Sequence, residues 1–129
     1  MYYILIHHIS MYYCPMYSKE LLKGTIGVMV LKLLSEHGKM YGYEISQKVK
    51  ELTEGKILIK DGSLYPALHK LLADGIVNYE EQAIGKRIRK YYFLTAKGET
   101  ETNSQMAELK DFMSTIQKVI FNDFNAQPI

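Results

Sequence analysis

The chain has 129 residues, of which 47% are hydrophobic and 23% are charged, a composition typical of one globular domain and not of a disordered segment. The formal net charge of +2 is too small to indicate a partner, and the single cysteine, Cys14, excludes an internal disulfide. No apolar run approaches the ~20 residues that a membrane-spanning helix requires, and we expect a cytoplasmic protein without a membrane partner.

Charge is unevenly distributed along the chain. Residues 1–55 carry a net charge of +1, residues 56–98 carry +4, and residues 99–129 carry −3. A basic middle segment followed by an acidic end favours an anion-binding or nucleic-acid-binding surface in the middle of the chain. For any single lysine, the alternative is an ordinary solvated side chain.

The first 17 residues differ from the rest of the chain. They contain no lysine or arginine, and two adjacent histidines, His7 and His8, interrupt their apolar part, which argues against a secretory signal peptide. We interpret residues 1–17 as an N-terminal arm or as a translated leader, since Met16 could also serve as a start. The two histidines and Cys14 lack the specific spacing of a metal site, and we predict neither a metal nor a cofactor.

The first predicted helix begins at Ser18, a candidate N-cap, and ends at Gly38. Its apolar residues extend almost all the way around it, which is typical of a helix that is buried on several sides. In a domain of this size, we therefore expect this helix to contact both the core and a second subunit. The candidate subunit contacts are Leu22 and Ile26.

A second helix, a short strand and a third helix follow. Ile45, Val49 and Leu52 have the spacing of an amphipathic helix, which Gly55 ends. Residues 56–60, with the sequence KILIK, alternate as a short strand does. The third helix contains the segment KDGSLYPALHKL. The apolar residues on its inner face are Leu64, Leu68, Leu71 and Leu72.

A hairpin and a long helix complete the chain. Residues 76–80 and 89–94 are predicted strands, and Gly85, Lys86 and Arg87 lie in the turn between them. Thr95 begins the last helix, whose apolar residues are spaced three or four apart like a short heptad seam. We expect this seam to pair with a second copy of the chain, and packing within the chain is the alternative. The seam consists of Met106, Leu109, Phe112, Met113, Ile116, Val119 and Ile120.

This order of elements predicts a mainly α-helical fold with a small β-hairpin, a winged helix-turn-helix to which a long C-terminal dimerisation helix is added. The predicted organisation is an arm or leader over residues 1–17, a winged-helix DNA-binding domain over residues 18–98 and a dimerisation helix over residues 99–129. No internal repeat or low-complexity tract is present.

The sequence carries no catalytic motif. It lacks G-x-S-x-G, a Walker A loop, G-x-G-x-x-G and H-E-x-x-H, and no histidine or aspartate is spaced to form a triad with Ser63. We therefore predict that the protein is not an enzyme. Two hypotheses remain: a DNA-binding regulator, and a winged-helix module that makes protein–protein contacts without binding DNA.

The start of the third helix has the features of a DNA-recognition helix. Gly62 allows the backbone to approach closely, Ser63 supplies a hydroxyl, and Tyr65 supplies a phenol of longer reach. Pro66, also a candidate DNA-binding residue, is tolerated near a helix start because few backbone N–H groups there have an intrahelical acceptor. The alternatives are that Tyr65 is a core aromatic and that Ser63 merely caps the helix.

Basic residues lie on both sides of these positions. Two lysines flank the third helix, and the hairpin tip carries the densest basic cluster of the chain, which can contact the DNA backbone or enter the minor groove. A solvated loop is the alternative for this tip. The candidate phosphate contacts are Lys60, Lys70, Lys86, Arg87, Arg89 and Lys90.

Three segments resemble the PadR-type winged-helix transcriptional regulators: SKELLKGTIGVMVLKLLSEHGKMYGYEI, GSLYPALHKLLADGIV and GKRIRKYYFLTAKG. The resemblance covers residues 18–98. It implies a homodimer that binds a pseudo-palindromic operator in double-stranded DNA, usually as a repressor, with the C-terminal helix in the dimer interface. It also implies that Tyr41, Ser63, Tyr65 and the basic residues of the hairpin contact DNA.

The chain departs from this family at several positions. Lys60 and Asp61 stand where the family often has a serine or threonine cap and a proline or glutamate, and Ile88 stands where a proline often precedes the wing arginine. Some members of the smaller subfamily, which has one C-terminal helix, bind flat aromatic drugs through a tryptophan. This chain has no tryptophan, and Leu109 lies near that position. We predict that an effector at the dimer interface releases the protein from DNA by changing the spacing of the two recognition helices.

Overall fold

Residues 17–122 are described by a computed structural model of the chain. His7, His8 and Cys14, and all of the predicted arm or leader except Tyr17, lie outside the described residues. The elements in chain order are α1 (Lys19–Lys23), α2 (Ile26–His37), α3 (Gly42–Leu52), α4 (Asp61–Ala73), β1 (Val77–Ile84), β2 (Arg87–Leu94) and α5 (Ala96–Ile120).

The segment predicted as one first helix forms two helices, α1 and α2. Ser18 is the N-cap of α1, and its hydroxyl accepts a hydrogen bond from the backbone N–H of Leu21 at 3.3 Å. α1 ends because the backbone N–H and the hydroxyl of Thr25 both donate to the carbonyl of Leu22, at 2.9 and 3.0 Å. Gly24 at this point weakens a continuous helix. The prediction of an unbroken helix was wrong.

Residues 56–60 form a loop and not the predicted strand. The loop is held locally, since the backbone N–H of Ile57 donates to the hydroxyl of Thr53 at 3.0 Å. Ile59 is buried and Ile57 is half-buried against the core. The alternation of this segment therefore reflects packing onto the core, and it pairs with no strand among residues 17–122.

β1 and β2 form an antiparallel hairpin, which we call the wing. Gly85 and Lys86 connect the strands, and Gly85 has a φ of +61°, which glycine adopts without strain. Arg87, predicted in the turn, is the first residue of β2, so the strands reach further toward the tip than predicted. On its other edge, β2 pairs with one residue: the backbone N–H groups of Met40 and Tyr92 each donate to the other's carbonyl, at 3.1 and 2.8 Å.

The core lies between α2, α3, α4 and the base of the wing. Each aliphatic side chain buried there contributes about 1.5–3 kcal/mol relative to an exposed one. Ile26, a predicted subunit contact, belongs to this core with 7% of its surface exposed, and Leu22 packs against the core from outside. The buried residues of the core are Ile26, Val30, Leu31, Leu33, Leu34, Met40, Ile45, Val49, Ile59, Leu64, Leu68, Leu71, Ile76, Val77 and Tyr92.

α5 begins against the turn that joins α4 to β1. Thr95 is the N-cap of α5, as predicted: its hydroxyl accepts a hydrogen bond from the N–H of Gly98 at 3.0 Å and donates to the carbonyl of Gly75 at 2.7 Å. A Cβ atom on Gly98 would overlap the carbonyl oxygen of Ile76. α5 then packs on α2 and continues beyond the core, where every residue from 110 to 122 is exposed.

Candidate nucleic-acid interface

α4 begins one residue earlier than it would if Asp61 were its N-cap. Lys60 is the N-cap, with an extended backbone (φ −83°, ψ 155°) and no capping hydrogen bond from its side chain. Asp61 is the first helical residue, where its negative charge is favourable near the positive end of the helix dipole. The hydroxyl of Ser63 has no hydrogen-bond partner within residues 17–122. Ser63 is therefore not a cap, and its hydroxyl is free to contact a ligand.

Pro66 lies in the second turn of α4, where its missing N–H leaves the Gly62 carbonyl without the donor four residues later. Gly62 is exposed, and a Cβ atom there would meet no atom of residues 17–122 within 4 Å, apart from its chain neighbours and its own helix backbone. Its φ lies outside the left-handed region. The fold of the chain therefore does not require a glycine at position 62.

Four of the exposed residues of α4 form a ridge along one side of the helix. They recur at intervals of four and three, which places them on one helical face, opposite the buried leucines. The ridge consists of Gly62, Pro66, His69 and Ala73. Tyr65 lies on one flank of this ridge, and Ser63 lies on the other.

A cavity of about 660 Å³ lies beside the ridge, between the start of α3, α4 and the wing. We call it the wing cavity, and its walls are aromatic and basic. The sequence prediction missed His69, although its position four residues after Tyr65 puts both side chains on the same side of α4. It also missed Tyr43 and Ile88. The predicted DNA contacts that the cavity brings together are Tyr41, Tyr65, Arg87, Arg89 and Lys90.

Aromatic rings hold two of the wing cations. The guanidinium carbon of Arg89 lies 4.3 Å from the centre of the Tyr41 ring, and the ammonium of Lys90 lies 4.8 Å from the centre of the Tyr79 ring. Both distances are within the ~6 Å range of a cation–π contact. Arg87, in contrast, is exposed and makes no ring contact or ion pair with the described part of the chain. The wing thus presents both ordered and free positive charges.

The side chain of Tyr65 is partly exposed: it does not belong to the buried core, and it is not fully surrounded by solvent. It is 37% exposed, and its phenolic oxygen would lie 2.5 Å from a Cβ atom on Gly42. Glycine at position 42 therefore makes room for the Tyr65 ring at the start of α3. Tyr92 is buried nearby, and burial, with a smaller contribution from Tyr65, raises the pKa of the Tyr92 phenol. Tyr92 consequently stays neutral as part of the cavity wall.

A second cavity, of about 750 Å³, lies on the opposite side of the ridge. We call it the helix cavity, because parts of α1, α2, α4 and α5 line it together with the loop before α4. Leu22 and Ile26 contribute to its largely apolar wall. The predicted DNA contacts that line it are Lys60, Ser63, Pro66 and Lys70.

The predicted basic residues therefore do not form one cluster. Lys60 and Lys70 lie on the opposite side of the ridge from the wing cations. The ammonium of Lys70 pairs with the carboxylate of Asp74 at 3.6 Å, and such an exposed pair contributes little to stability. Lys86 is exposed at the wing tip and lines neither cavity.

The predicted seam of α5 is exposed over its C-terminal half. Met106 and Leu109 are half-buried, whereas Val119 is 74% exposed. Contiguous exposed apolar surface of this kind marks interaction sites in soluble proteins. The exposed residues of the seam are Phe112, Met113, Ile116, Val119 and Ile120.

Two kinds of feature are absent from residues 17–122. None of the helices there is long and apolar enough to cross a membrane. That part of the chain also contains no group of three or more His, Cys, Asp or Glu side chains arranged to hold a metal ion.

Comparisons with known proteins give consistent matches. Residues 30–104 match the family model described as "Transcriptional regulator PadR-like family". The transcriptional regulator Rv3488 of Mycobacterium tuberculosis is 35% identical over 94 residues, which are 70% of this chain and 84% of that protein. A transcriptional regulator from Clostridium thermocellum has a similar structure, with a TM-score of 0.72, 28% identity, and coverage of 81% of this chain and 98% of that one.

One of the similar structures contains DNA. Bacillus subtilis PadR in complex with operator DNA aligns with a TM-score of 0.58 and 29% identity, over 64% of this chain and 47% of that chain. Together, these likenesses confirm the predicted fold class of a mainly helical winged helix with a two-stranded hairpin and a long C-terminal helix.

Proposed function

Since the chain belongs to the PadR-like family of transcriptional regulators, we propose that it is a repressor that binds a pseudo-palindromic operator in double-stranded DNA as a homodimer. Members of this family are transcriptional regulators and not enzymes. One observation carries the proposal: the exposed ridge of α4 lies directly beside the wing cavity, which Arg87, Arg89 and Lys90 line. The operator complex of Bacillus subtilis PadR supports DNA as the partner.

The ridge and the wing have different roles in DNA recognition. A helix with its side chains is ~10–12 Å wide and fits the major groove, which is ~12 Å wide. In this arrangement Gly62 and Ser63 reach the base edges, and Tyr65 and His69 face the phosphates beside them. The wing cations lie along the DNA backbone, where they supply affinity without sequence preference.

Replacing Arg87 with glutamine tests the role of the wing. We expect operator affinity to fall several-fold and the slope of log K against log salt concentration to decrease by about 0.9, because one phosphate contact is lost. The measurement is titration at several salt concentrations with an operator selected from random duplexes. Lys32→Gln is the matched control, since Lys32 is paired with Glu36 on α2 and lines neither cavity. A wild-type protein without preference for any selected duplex would contradict the proposal.

Gly62→Ala is expected to change stability and DNA binding in opposite directions. The fold leaves open space for the added methyl group, and alanine is ~0.5–1 kcal/mol more favourable than glycine inside a helix. The same methyl group lies on the ridge and keeps the backbone from the base edges, so we expect operator affinity to fall roughly tenfold, as loss of one good base contact does. Thermal unfolding and operator titration of the same sample check both effects. If Gly62→Ala bound the operator as tightly as the wild type or more tightly, the ridge would not be part of the DNA interface.

The dimer rests on the exposed seam of α5. Its apolar residues lie beyond the core of the protomer, and a second α5 with the same spacing fits them in a coiled-coil-like contact. In the alternative function, a module for protein–protein contacts, the seam has the same role and the wing cations have none. Operator selection distinguishes the two functions.

The effector site that we propose is the helix cavity. Its volume of about 750 Å³ is within the ~300–1,000 Å³ range of small-molecule sites. It reaches from Leu22 and Ile26, the predicted subunit contacts, to Ser63 on α4. A ligand there touches the surface around Leu22, a predicted subunit contact, and the recognition helix, which would allow it to change the spacing of the two recognition helices.

A further inference from the structure

Arg89 is held differently from the cations near the tip of the wing. It is half-buried, and its guanidinium lies over the Tyr41 ring at 4.3 Å from the ring centre. Lys86 and Arg87 are exposed and contact neither an aromatic ring nor a carboxylate among residues 17–122. Arg89 therefore has a defined position before any ligand binds.

Tyr91 completes the contact between the wing and α3. Arg89 and Tyr91 are two residues apart and lie on the same face of β2. The Tyr91 ring meets the Tyr41 ring edge-on, with the ring centres 5.4 Å apart and the planes at 63°. A hydrogen bond with Tyr91 raises the pKa of Arg89 above its usual value. The Arg89 guanidinium thus lies over the Tyr41 ring, and the Tyr91 ring packs against that same ring.

The backbone of Tyr41 is held in place by hydrogen bonds on both sides of the residue. Tyr41 is the N-cap of α3, with an extended conformation, and its N–H donates to Oε1 of Glu44 at 3.0 Å. The preceding residue, Met40, is joined to Tyr92 of the wing by two hydrogen bonds, at 3.1 and 2.8 Å. These bonds fix the backbone from which the Tyr41 ring extends, and the ring itself lies against the rings of Tyr43 and Tyr91.

We propose that Tyr41 is a positioning residue that keeps the Arg89 guanidinium ordered at the wing cavity, where it binds a phosphate of duplex DNA. This role rests on the proposed DNA binding and differs from a direct contact between Tyr41 and DNA. A side chain that is ordered in the free protein loses less conformational entropy on binding than a mobile one. Tyr41 thus strengthens binding through Arg89, whereas Lys86 must be immobilised when DNA binds.

A double-mutant cycle between Tyr41 and Arg89 tests this role. Tyr41→Leu is expected to weaken operator binding about two- to tenfold, since ~0.5–1.5 kcal/mol is the cost of ordering one long side chain. The slope of affinity against salt stays as in the wild type, because the charge of Arg89 remains. Arg89→Gln weakens binding at least as much and lowers the slope by about 0.9. The double variant binds no more weakly than Arg89→Gln alone.

Two further variants serve as controls. Tyr41→Phe keeps the ring face and removes the hydroxyl, and it is expected to bind like the wild type. Lys86→Gln combined with Tyr41→Leu is the matched pair, because Lys86 does not touch an aromatic ring within the described residues. In that combination the two losses should multiply.

The order of Arg89 is also measurable without DNA. In the free wild-type protein, the Nε–H NMR signal of Arg89 should be displaced by the Tyr41 ring current and show the relaxation of a rigid group. Tyr41→Phe should preserve this signal, and Tyr41→Leu should return it to the position of a mobile arginine. This measurement decides the positioning role even if Tyr41→Leu folds too poorly for DNA titration, because Arg89 must already be rigid in the wild type.

Specific results would overturn the inference. Multiplicative losses in the Tyr41→Leu and Arg89→Gln pair would contradict it, as would Tyr41→Phe binding as weakly as Tyr41→Leu. A mobile Arg89 side chain in the wild type would do the same. These three results concern only the positioning role of Tyr41. DNA binding itself is measured separately, with the wild type and with Lys86→Gln. A wild type without operator preference would overturn both the proposed function and this role.

Discussion

Replacing Ile116 with glutamate is expected to convert the proposed homodimer into a monomer and to weaken operator binding by about 100-fold or more. Ile116 lies in the middle of the exposed seam of α5, between Met113 and Val119. A carboxylate in a buried apolar contact loses its hydration without gaining a partner. Two linked half-site contacts bind ~10²–10⁴ times more tightly than one, and the monomer loses this gain.

Light scattering coupled to size exclusion measures the oligomer, and operator titration measures the affinity. Ser114→Glu is the matched control, because it adds the same charge two residues away, on the opposite side of α5. It should stay dimeric and bind the operator like the wild type. An Ile116→Glu protein that remains a dimer would show that the seam is not the subunit contact. Unchanged operator affinity in a monomeric variant would contradict the dimeric mode of binding.

Gly98→Ala is expected to destabilise the protein by about 3 kcal/mol, the upper end of the cost of overpacking. The added methyl group would overlap the carbonyl oxygen of Ile76, and a backbone atom cannot rotate away as a side chain can. The start of α5 is also tied to this turn by Lys97, whose ammonium donates to the carbonyl of Asp74 at 2.8 Å. Relief of the overlap would therefore separate α5 from the end of α4.

Chemical denaturation of both variants measures this effect. Gly62→Ala is its control, since it makes the same substitution in the first turn of a helix where the space is open. The control should be as stable as the wild type or more stable. A Gly98→Ala protein within 0.5 kcal/mol of the wild type, about the spread of neutral surface substitutions, would show that the junction adapts without cost.

Several local features were predictable because their signals are local. The caps at Ser18 and Thr95 and the leucine face of α4 follow from residue type and spacing over a few positions. The break at Gly24 and the loop at residues 56–60 did not follow, since apolar spacing does not distinguish a continuous helix from two short ones or a packed loop from a strand.

The amino-acid order thus sets the elements, their apolar faces and the presence of a basic hairpin after a helix with Gly62 and Ser63 at its start. These properties depend on residues that are close together in the chain, and the spacing of the apolar residues therefore predicts them. Contacts between distant segments depend on how the elements pack, and a local sequence pattern does not predict them. Packing alone places Arg89 over Tyr41, puts His69 beside the wing cations, and separates Lys60 and Lys70 from them across the ridge of α4.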